Sequence, residues 1–374
     1  MRIDLASARR IVVKVGSSSL TTRSGGIDVD RVRNLVDAIV ARKQSGTQVV
    51  LVSSGAIAAG LKPLGLKSRP KDLATQQAAA SVGQSLLVAE YAAAFAEANI
   101  TVGQVLLTAQ DMLRRSNYRN AQRGLSRLLE LGILPIVNEN DTVATDEIRF
   151  GDNDRLAALV AQVVQADALF LLSDVDGVYD GPPDQAGTSM IHEVRDFSEL
   201  AHVTIGGTGT AGVGLGGMAT KVDAASIATA AGITTVVTSA ALADRAINGE
   251  IVGTYFHASP NRTPTRLLWL AHATSPQGTV TIDDGAVAAV VERRLSLLPA
   301  GITATMGNFQ AGDPINIATS DGRIVARGIV SFDSDELPAL MGKKTSQIAA
   351  ERGEAFDREV IHRDDMIVIG GNNE

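Results

Sequence analysis

Between residues 138 and 154 the chain reads Asn-Glu-Asn-Asp-Thr-Val-Ala-Thr-Asp-Glu-Ile-Arg-Phe-Gly-Asp-Asn-Asp. Carboxylates in such a stretch can pair with a cationic group, and amides can donate to an anionic one. A short apolar run, residues 133–137, precedes it and has the look of a buried strand. The segment Arg155-Leu156-Ala157-Ala158-Leu159-Val160-Ala161, which follows it, has the look of a helix. The polar residues therefore fall where a strand ends and a helix begins, the place where open α/β sheets bind ligands. A solvated acidic loop with Asp152 or Asn153 as a helix cap is the plainer alternative. Two isolated lysines and a glycine loop elsewhere in the chain weigh against it.

The first lysine, Lys14, lies inside the β-branched run Ile11-Val12-Val13-Lys14-Val15, followed by Gly16-Ser17-Ser18-Ser19. An ammonium is costly to bury without a partner. Lys14 is thus either an edge-strand residue facing water or a cation held for use at the end of a central strand. The small residues after it leave backbone N–H groups free to approach a phosphate. The second lysine, Lys221, follows Met218, Ala219 and Thr220 behind a run at 206–217 that holds seven glycines. Such a run can be a linker. Here it opens an alanine-rich helix, which directs bare N–H groups and a helix N-terminus at an anion with a lysine beside it. It is not a P-loop, which needs Gly-Lys-Ser/Thr directly after a strand.

The elements that must position these groups alternate. Strands are expected at 11–15, 48–52, 102–107, 133–137, 168–172 and 233–237, and helices at 74–98 and about 117–130. Val32, Leu35, Val36, Ile39 and Val40 mark one face of a further helix. Ser53-Ser54-Gly55-Ala56 and Ser173-Asp174 repeat the pattern of small polar residues at a strand's C-terminal end. The alternation predicts a parallel α/β sheet sandwiched by helices. Pro260, Pro264 and Pro276 interrupt it, and Leu267 to Leu270 can be a strand on either side of that boundary. Beyond lie short apolar runs with turn signals, at 278–282, 313–317 and 322–328, expected to form a small, mostly β domain.

Composition bounds the function. The 374 residues suffice for two domains with a sizeable core. The absence of cysteine excludes disulfides, thiolate metal sites and cysteine nucleophiles, and a reducing cytosol is the expected setting. No signal-peptide core and no apolar run long enough to span a bilayer is visible, so no membrane is expected. Aromatics are only 3% and the net charge is −7, which argues against nucleic-acid or anionic-membrane surfaces.

Five pieces resemble the amino acid kinase family: Val13-Lys14-Val15-Gly16-Ser17, Val52-Ser53-Ser54-Gly55-Ala56-Ile57, Asn138-Glu139-Asn140-Asp141, Gly151-Asp152-Asn153-Asp154 and Gly216-Gly217-Met218-Ala219-Thr220-Lys221. The lysine and glycine pieces are shared widely in that family. The Asn-Glu-Asn-Asp and Gly-Asp-Asn-Asp pieces are similar to its glutamate-phosphorylating members. Around residues 279–357 the tail resembles a PUA domain, with Gly301-Ile302, Gly307-Asn308-Phe309 and Gly312-Asp313 carrying the likeness. The resemblance implies an amino-acid-kinase-like parallel-rich sheet at 1–260 and a PUA-like domain at 276–374. It further implies transfer of the ATP γ-phosphate to the γ-carboxylate of L-glutamate, the first step of proline biosynthesis, with proline as inhibitor. Kinases for aspartate, N-acetylglutamate or UMP are same-fold alternatives. An RNA-binding role through the tail is an alternative of another class. Residues 276–374 carry nine Lys and Arg against fifteen Asp and Glu, the wrong balance for a phosphate-binding surface.

By that resemblance Lys14, Lys221 and Asp154 are the catalytic candidates, with Asp154 between the lysines. Ser54, Asp141 and Asn153 are the glutamate-binding candidates. The nucleotide site comprises Lys14, Ser173, Asp174, Leu215, Gly216, Gly217, Met218, Ala219, Thr220 and Lys221, with Mg²⁺ carried by ATP and no protein metal site. Leu215 stands where the family commonly has Thr, and Ser173 likewise replaces a Thr while keeping the hydroxyl. Physically, Asp141 can pair with the substrate's α-ammonium, while Asn153 and the backbone near Ser54 can offer donors to its carboxylates. A dimer or tetramer and handover of the labile product to a glutamyl phosphate reductase complete what the resemblance implies.

Overall fold

Strand β1 (Arg10–Val15) is β-branched almost throughout, and every residue from Ile11 to Val15 is buried, Lys14 included. Burial on both faces is the signature of a central parallel strand covered by helices. We describe, in a computed structural model, residues 5–22, 26–108, 111–112, 115–143, 153–182, 185, 187–200, 203, 217–259, 270, 276–353, 356 and 358–369. They form two compact units, Met1–Arg262 and Thr263–Glu374.

In the first unit β1 pairs in parallel on both sides, with β2 (Gln48–Ser53) and with β5 (Ala168–Ser173). This removes the edge-strand alternative for Lys14. Between them in sequence come β3 (Val102–Leu107) and β4 (Leu134–Glu139), and after them β6 (Val178–Tyr179), β7 (Met190–Ile191), β8 (Glu193–Val194), β9 (Thr234–Ser239) and β10 (Thr254–Phe256). The sheet order is β3-β4-β2-β1-β5-β9-β10-β8, with β6 and β7 a separate pair. All pairings from β3 to β9 are parallel; β10 is antiparallel to β9. β2 to β4 lie on one side of β1 and β5 and β9 on the other, so the strand order reverses at β1. In open α/β sheets a ligand crevice opens there, outside the C-terminal strand ends.

The helices are α1 (Val29–Gln44), α2 (Ala56–Leu61), α3 (Leu73–Ala96), α4 (Arg115–Glu130), α5 (Asn153–Val163), α6 (Met218–Ala230) and α7 (Ala243–Ile247). Asp28 caps α1 by accepting from the Arg31 N–H, and Asp72 caps α3 by accepting from Thr75. α2 and α3 cross at backbone contact. A Cβ on Gly83 would lie 1.8 Å from the Ala56 carbonyl oxygen, and one on Gly60 would lie 2.0 Å from that of Ala79. Only glycine permits this approach.

Most expected boundaries shift by a residue or two, and two of the shifts bear on the site, each for a local reason. The strand expected at 133–137 runs on through Asn138 and Glu139, because both pair with β3 opposite Leu106 and Leu107. The helix expected from Arg155 begins at Asn153, which puts Asn153 and Asp154 in its first turn. The segment 144–152 between them and the glycine run 204–216 lie outside the described residues, as do residues 260–269.

The second unit holds a sheet of order β12-β11-β13-β14-β15, built from β11 (Gly278–Ile282), β12 (Ile302–Gly307), β13 (Pro314–Ala318), β14 (Ile324–Ile329) and β15 (Met366–Val368). Helices α8 (Asp284–Val287) and α9 (Thr345–Arg352) join it. Val280, Ile282, Phe309, Ile317, Phe332 and Ile361 fill its own core. It is the small, mostly β domain that the short apolar runs predict.

Candidate active site

The C-terminal ends of β1, β2, β4 and β5 and the first turns of α5 and α6 carry the polar residues singled out in the sequence. Lys14 sits at the end of β1, 3% exposed, and Lys221 in the first turn of α6, 6% exposed. Both reach Asp154, which is fully buried in the first turn of α5. Lys14 Nζ pairs with Asp154 Oδ1, and Lys221 Nζ lies 3.0 Å from Oδ2. Thr220 Oγ1 lies 3.1 Å from the same Oδ2 and 2.7 Å from the Gly217 carbonyl. Burial alone pushes the Asp154 carboxyl up. The charges of Lys14 and Lys221, with their hydrogen bonds, outweigh it and hold the group below the ordinary 3.8. Two cations around one anion leave this buried cluster with a net positive charge, the field an incoming polyanion requires.

The same helix pair is tied at two further levels. Arg155 Nη2 meets Asp223 Oδ2 at 2.9 Å, and Gln162 Nε2 donates to the Ile227 carbonyl at 3.1 Å. α6 starts from Gly217, whose backbone is extended and whose missing side chain offers no cap. Among the described residues no side chain caps the first turn of α6, and a helix N-terminus of this kind suits a phosphate. Ser173 ends β5, buried, with its hydroxyl donating to Asp174 Oδ1 at 3.2 Å; Asp174 itself is exposed. The Ser173 carbonyl accepts from Ser19 Oγ at 3.3 Å. Leu215 and Gly216 lie outside the described residues, so the effect of the leucine has no structural account.

Across β1 from the lysines a relay of neutral amides and hydroxyls links the strand tips. Asn153 Nδ2 donates both its hydrogens, to the Ser53 carbonyl and to Asn138 Oδ1, each at 2.6 Å. Asn138 Oδ1 also accepts from the Glu139 N–H at 2.9 Å, and Asn138 Nδ2 donates to Gln84 Oε1 on α3 at 2.5 Å. Ser53 Oγ donates to the Ser54 carbonyl at 3.3 Å and lies 3.1 Å from the Tyr91 hydroxyl, also on α3. Burial pushes the Tyr91 phenol up, only partly offset by Ser53, so it stays a neutral donor. Ser54 is half-buried beside Gly55, whose φ of +102° starts α2. Asp141, half-buried, lies in the turn after β4.

The structure thus brings Lys14, Asp154, Thr220 and Lys221 together on one side and Ser54, Asn153 and the β4 tip on the other. One expectation changes in kind: the side-chain amide of Asn153 cannot donate to a substrate carboxylate, because both hydrogens are spent inside the protein. Its free end is Oδ1, an acceptor. Sequence reading missed Gln84 and Tyr91. Their only signal is that an amide and a phenol stand seven residues apart, two turns, in an otherwise alanine-rich helix.

The family model for the amino acid kinase family matches residues 9–239, and that for the PUA domain matches residues 278–351. A glutamate 5-kinase of Streptomyces avermitilis is 63% identical over 369 residues, covering 98% of each chain. A glutamate 5-kinase of Streptomyces coelicolor is 62% identical over 368 residues, again covering 98% of each. Among solved structures, a carbamate kinase from Giardia lamblia bound to AMP-PNP superposes with a TM-score of 0.51. It covers 68% of this chain and 100% of its own at 19% identity, a likeness of fold alone. The chain belongs to the amino acid kinase family, in its glutamate 5-kinase branch, with a PUA domain behind the kinase domain.

Proposed function

We infer that the chain transfers the γ-phosphate of ATP to the γ-carboxylate of L-glutamate. The observation that carries this reading is the pair of buried lysines from distant elements on opposite oxygens of one buried carboxylate. A γ-carboxylate is already ionised at neutral pH and needs no general base. It attacks the γ-phosphorus, the bond from phosphorus to the ADP oxygen breaks, and the products are an acyl phosphate and ADP. What the protein must supply is positioning and charge neutralisation. Lys14 and Lys221 offset the negative charge that gathers on the transferred phosphoryl group, and Asp154 fixes where their ammonium groups point. The N–H groups from Gly217 to Lys221, with Ser173 and Asp174 at the β5 tip, hold the remaining phosphates and nucleotide. Mg²⁺ carried by ATP would neutralise phosphate charge.

Asp141 faces the α-ammonium of glutamate, and Asn153 Oδ1 is a second acceptor for it. The backbone around Ser54 and Gly55 offers donors to the carboxylates. A carboxylate placed for an α-ammonium disfavours N-acetylglutamate and UMP. Proline, a cyclised and shortened glutamate, competes for this pocket. The chain works in the cytosol as a homo-oligomer, and its labile product passes to a glutamyl phosphate reductase. Among the described residues no helix is long and apolar enough to cross a membrane.

The test is ADP release with glutamate, aspartate, N-acetylglutamate and UMP as acceptors, with and without proline. Glutamate is expected to give the highest turnover, with proline raising its KM. Equal or higher turnover with another acceptor overturns the assignment.

A further inference from the structure

Two side chains of α3 reach the proposed glutamate pocket without lining it. Gln84 Oε1 accepts from Asn138 Nδ2, and the Tyr91 hydroxyl meets Ser53 Oγ. The direction of the first chain is set by the backbone at both ends. The Glu139 N–H is a fixed donor, so Asn138 must present Oδ1 to it; the Ser53 carbonyl is a fixed acceptor, so Asn153 must present Nδ2. With Asn138 so oriented, its Nδ2 turns to α3 and needs an acceptor, and Gln84 is that acceptor. Asn153 then has only Oδ1 left for a ligand. The second chain runs from the Tyr91 hydroxyl to Ser53 Oγ and on to the Ser54 carbonyl. Ser53, Tyr91, Asn138 and Asn153 are buried and Gln84 is half-buried, so most of these bonds are made away from water, where an unmade one is costly.

We propose that Gln84 and Tyr91 are positioning residues for the amino-acid substrate: Gln84 fixes, through Asn138, the acceptor end of Asn153, and Tyr91 fixes, through Ser53, the backbone at Ser54. Both stand on one face of α3, and the glycine crossing at Gly60 and Gly83 locks that helix to α2, which starts beside Ser54. α3 is thus a rigid bar that sets two strand tips at once. Neither residue hydrogen-bonds to Lys14, Asp154 or Lys221, so the effect is expected on the substrate side.

This inference rests on the glutamate-kinase reading, and the test separates the two. Steady-state kinetics with glutamate and ATP varied in turn are measured on the wild-type full chain, Gln84→Met, Gln84→Glu and Tyr91→Phe, with thermal melts alongside. Gln84→Met removes the acceptor at equal length and is expected to raise glutamate KM about tenfold, the scale of one lost buried hydrogen bond. ATP KM should stay within about twofold, since no hydrogen bond of Gln84 or Tyr91 reaches Lys14, Asp154 or Lys221. Gln84→Glu keeps an acceptor for Asn138 Nδ2 and is expected to restore glutamate KM to within about threefold of wild type. Tyr91→Phe should raise glutamate KM by a smaller factor, again sparing ATP. A wild-type chain that does not turn over glutamate overturns the functional reading and this inference with it. A glutamate-active wild type whose KM is unmoved in Gln84→Met overturns this inference alone. So does a rise in both KM values alike, or a Gln84→Glu variant no better than Gln84→Met.

Discussion

The two sides of the site solve the same problem with different chemistry. Around Asp154 the protein buries full charges, two cations on one anion, and leaves the cluster positive. Around Asn138 the relay itself is made of neutral amides and backbone groups, in a chain where every hydrogen bond has a direction. The charged side acts on whatever carries negative charge and is indifferent to its shape. The neutral side discriminates by donor and acceptor, and a mismatch there leaves a buried group unpaired. On the proposed roles, strength comes from the first and selectivity from the second.

The comparison breaks most visibly at Asp154. Removing one member of a buried ionic group costs about 3–5 kcal/mol, because the charges left behind have no partner. Asp154→Asn is expected to lower kcat by roughly 10²-fold, the scale of one preorganised electrostatic contact. Lys14→Ala and Lys221→Ala should fall at least as far. Combining Asp154→Asn with either should cost much less than the product of the single effects, since groups acting as a unit are not additive. Steady-state kinetics on the five variants check this. Multiplicative losses would make Asp154 an independent structural residue. The same group sets an acid limb of stability. Its folded pKa lies below the ordinary 3.8, so its contribution is complete above that value and is lost as pH falls through the folded one. Thermal melts of wild type and Asp154→Asn from neutral to acid pH should converge at the acid end.

A smaller effect is expected where α3 crosses α2. Gly83→Ala gains at most about 1 kcal/mol of helix propensity. The new methyl would meet the Ala56 carbonyl oxygen at 1.8 Å and the Gly60 nitrogen at 2.5 Å, both backbone atoms that cannot step aside. Overpacking of this kind costs about 1–3 kcal/mol. The clash wins, the melting temperature falls, and glutamate KM rises while ATP KM holds. A stabilised Gly83→Ala chain would show that the crossing does not set the Ser54 tip.

The smallest effect sharpens the contrast within the helix pair itself. Arg155 and Asp223 bridge α5 and α6 one residue along from the buried cluster, but Asp223 is 51% exposed. Such pairs contribute under about 1 kcal/mol. Asp223→Asn should leave kcat unchanged and shift the melting temperature only slightly, and less in high salt.

These sides also differed in how well the sequence revealed them. Lys14 within a β-branched run and Lys221 behind a glycine run break local rules, and a broken rule is where function shows. The parallel sheet was legible for the same reason: its strands are near-continuous apolar runs. Gln84 and Tyr91 break no rule, because an amide and a phenol in a helix are ordinary until their partners are known. Those partners lie on β4 and β2, and no local pattern carries such a contact. The exhausted donors of Asn153 were hidden likewise: the residue type offers two hydrogens, and only the fold shows where they go.

The sheet order has a consequence for the order in which the molecule can be made. Asn153 reaches back 100 residues to Ser53, and Asp154 waits a further 67 for Lys221. The central strand is among the first segments to leave the ribosome, yet one flank stays open until β5 arrives. Contacts between such distant segments form late and slowly. A nascent chain that ends before α6 has the substrate-side relay complete but only one lysine on Asp154. On the proposed roles of the two lysines, phosphoryl transfer therefore waits for α6, after the substrate-side relay is already in place.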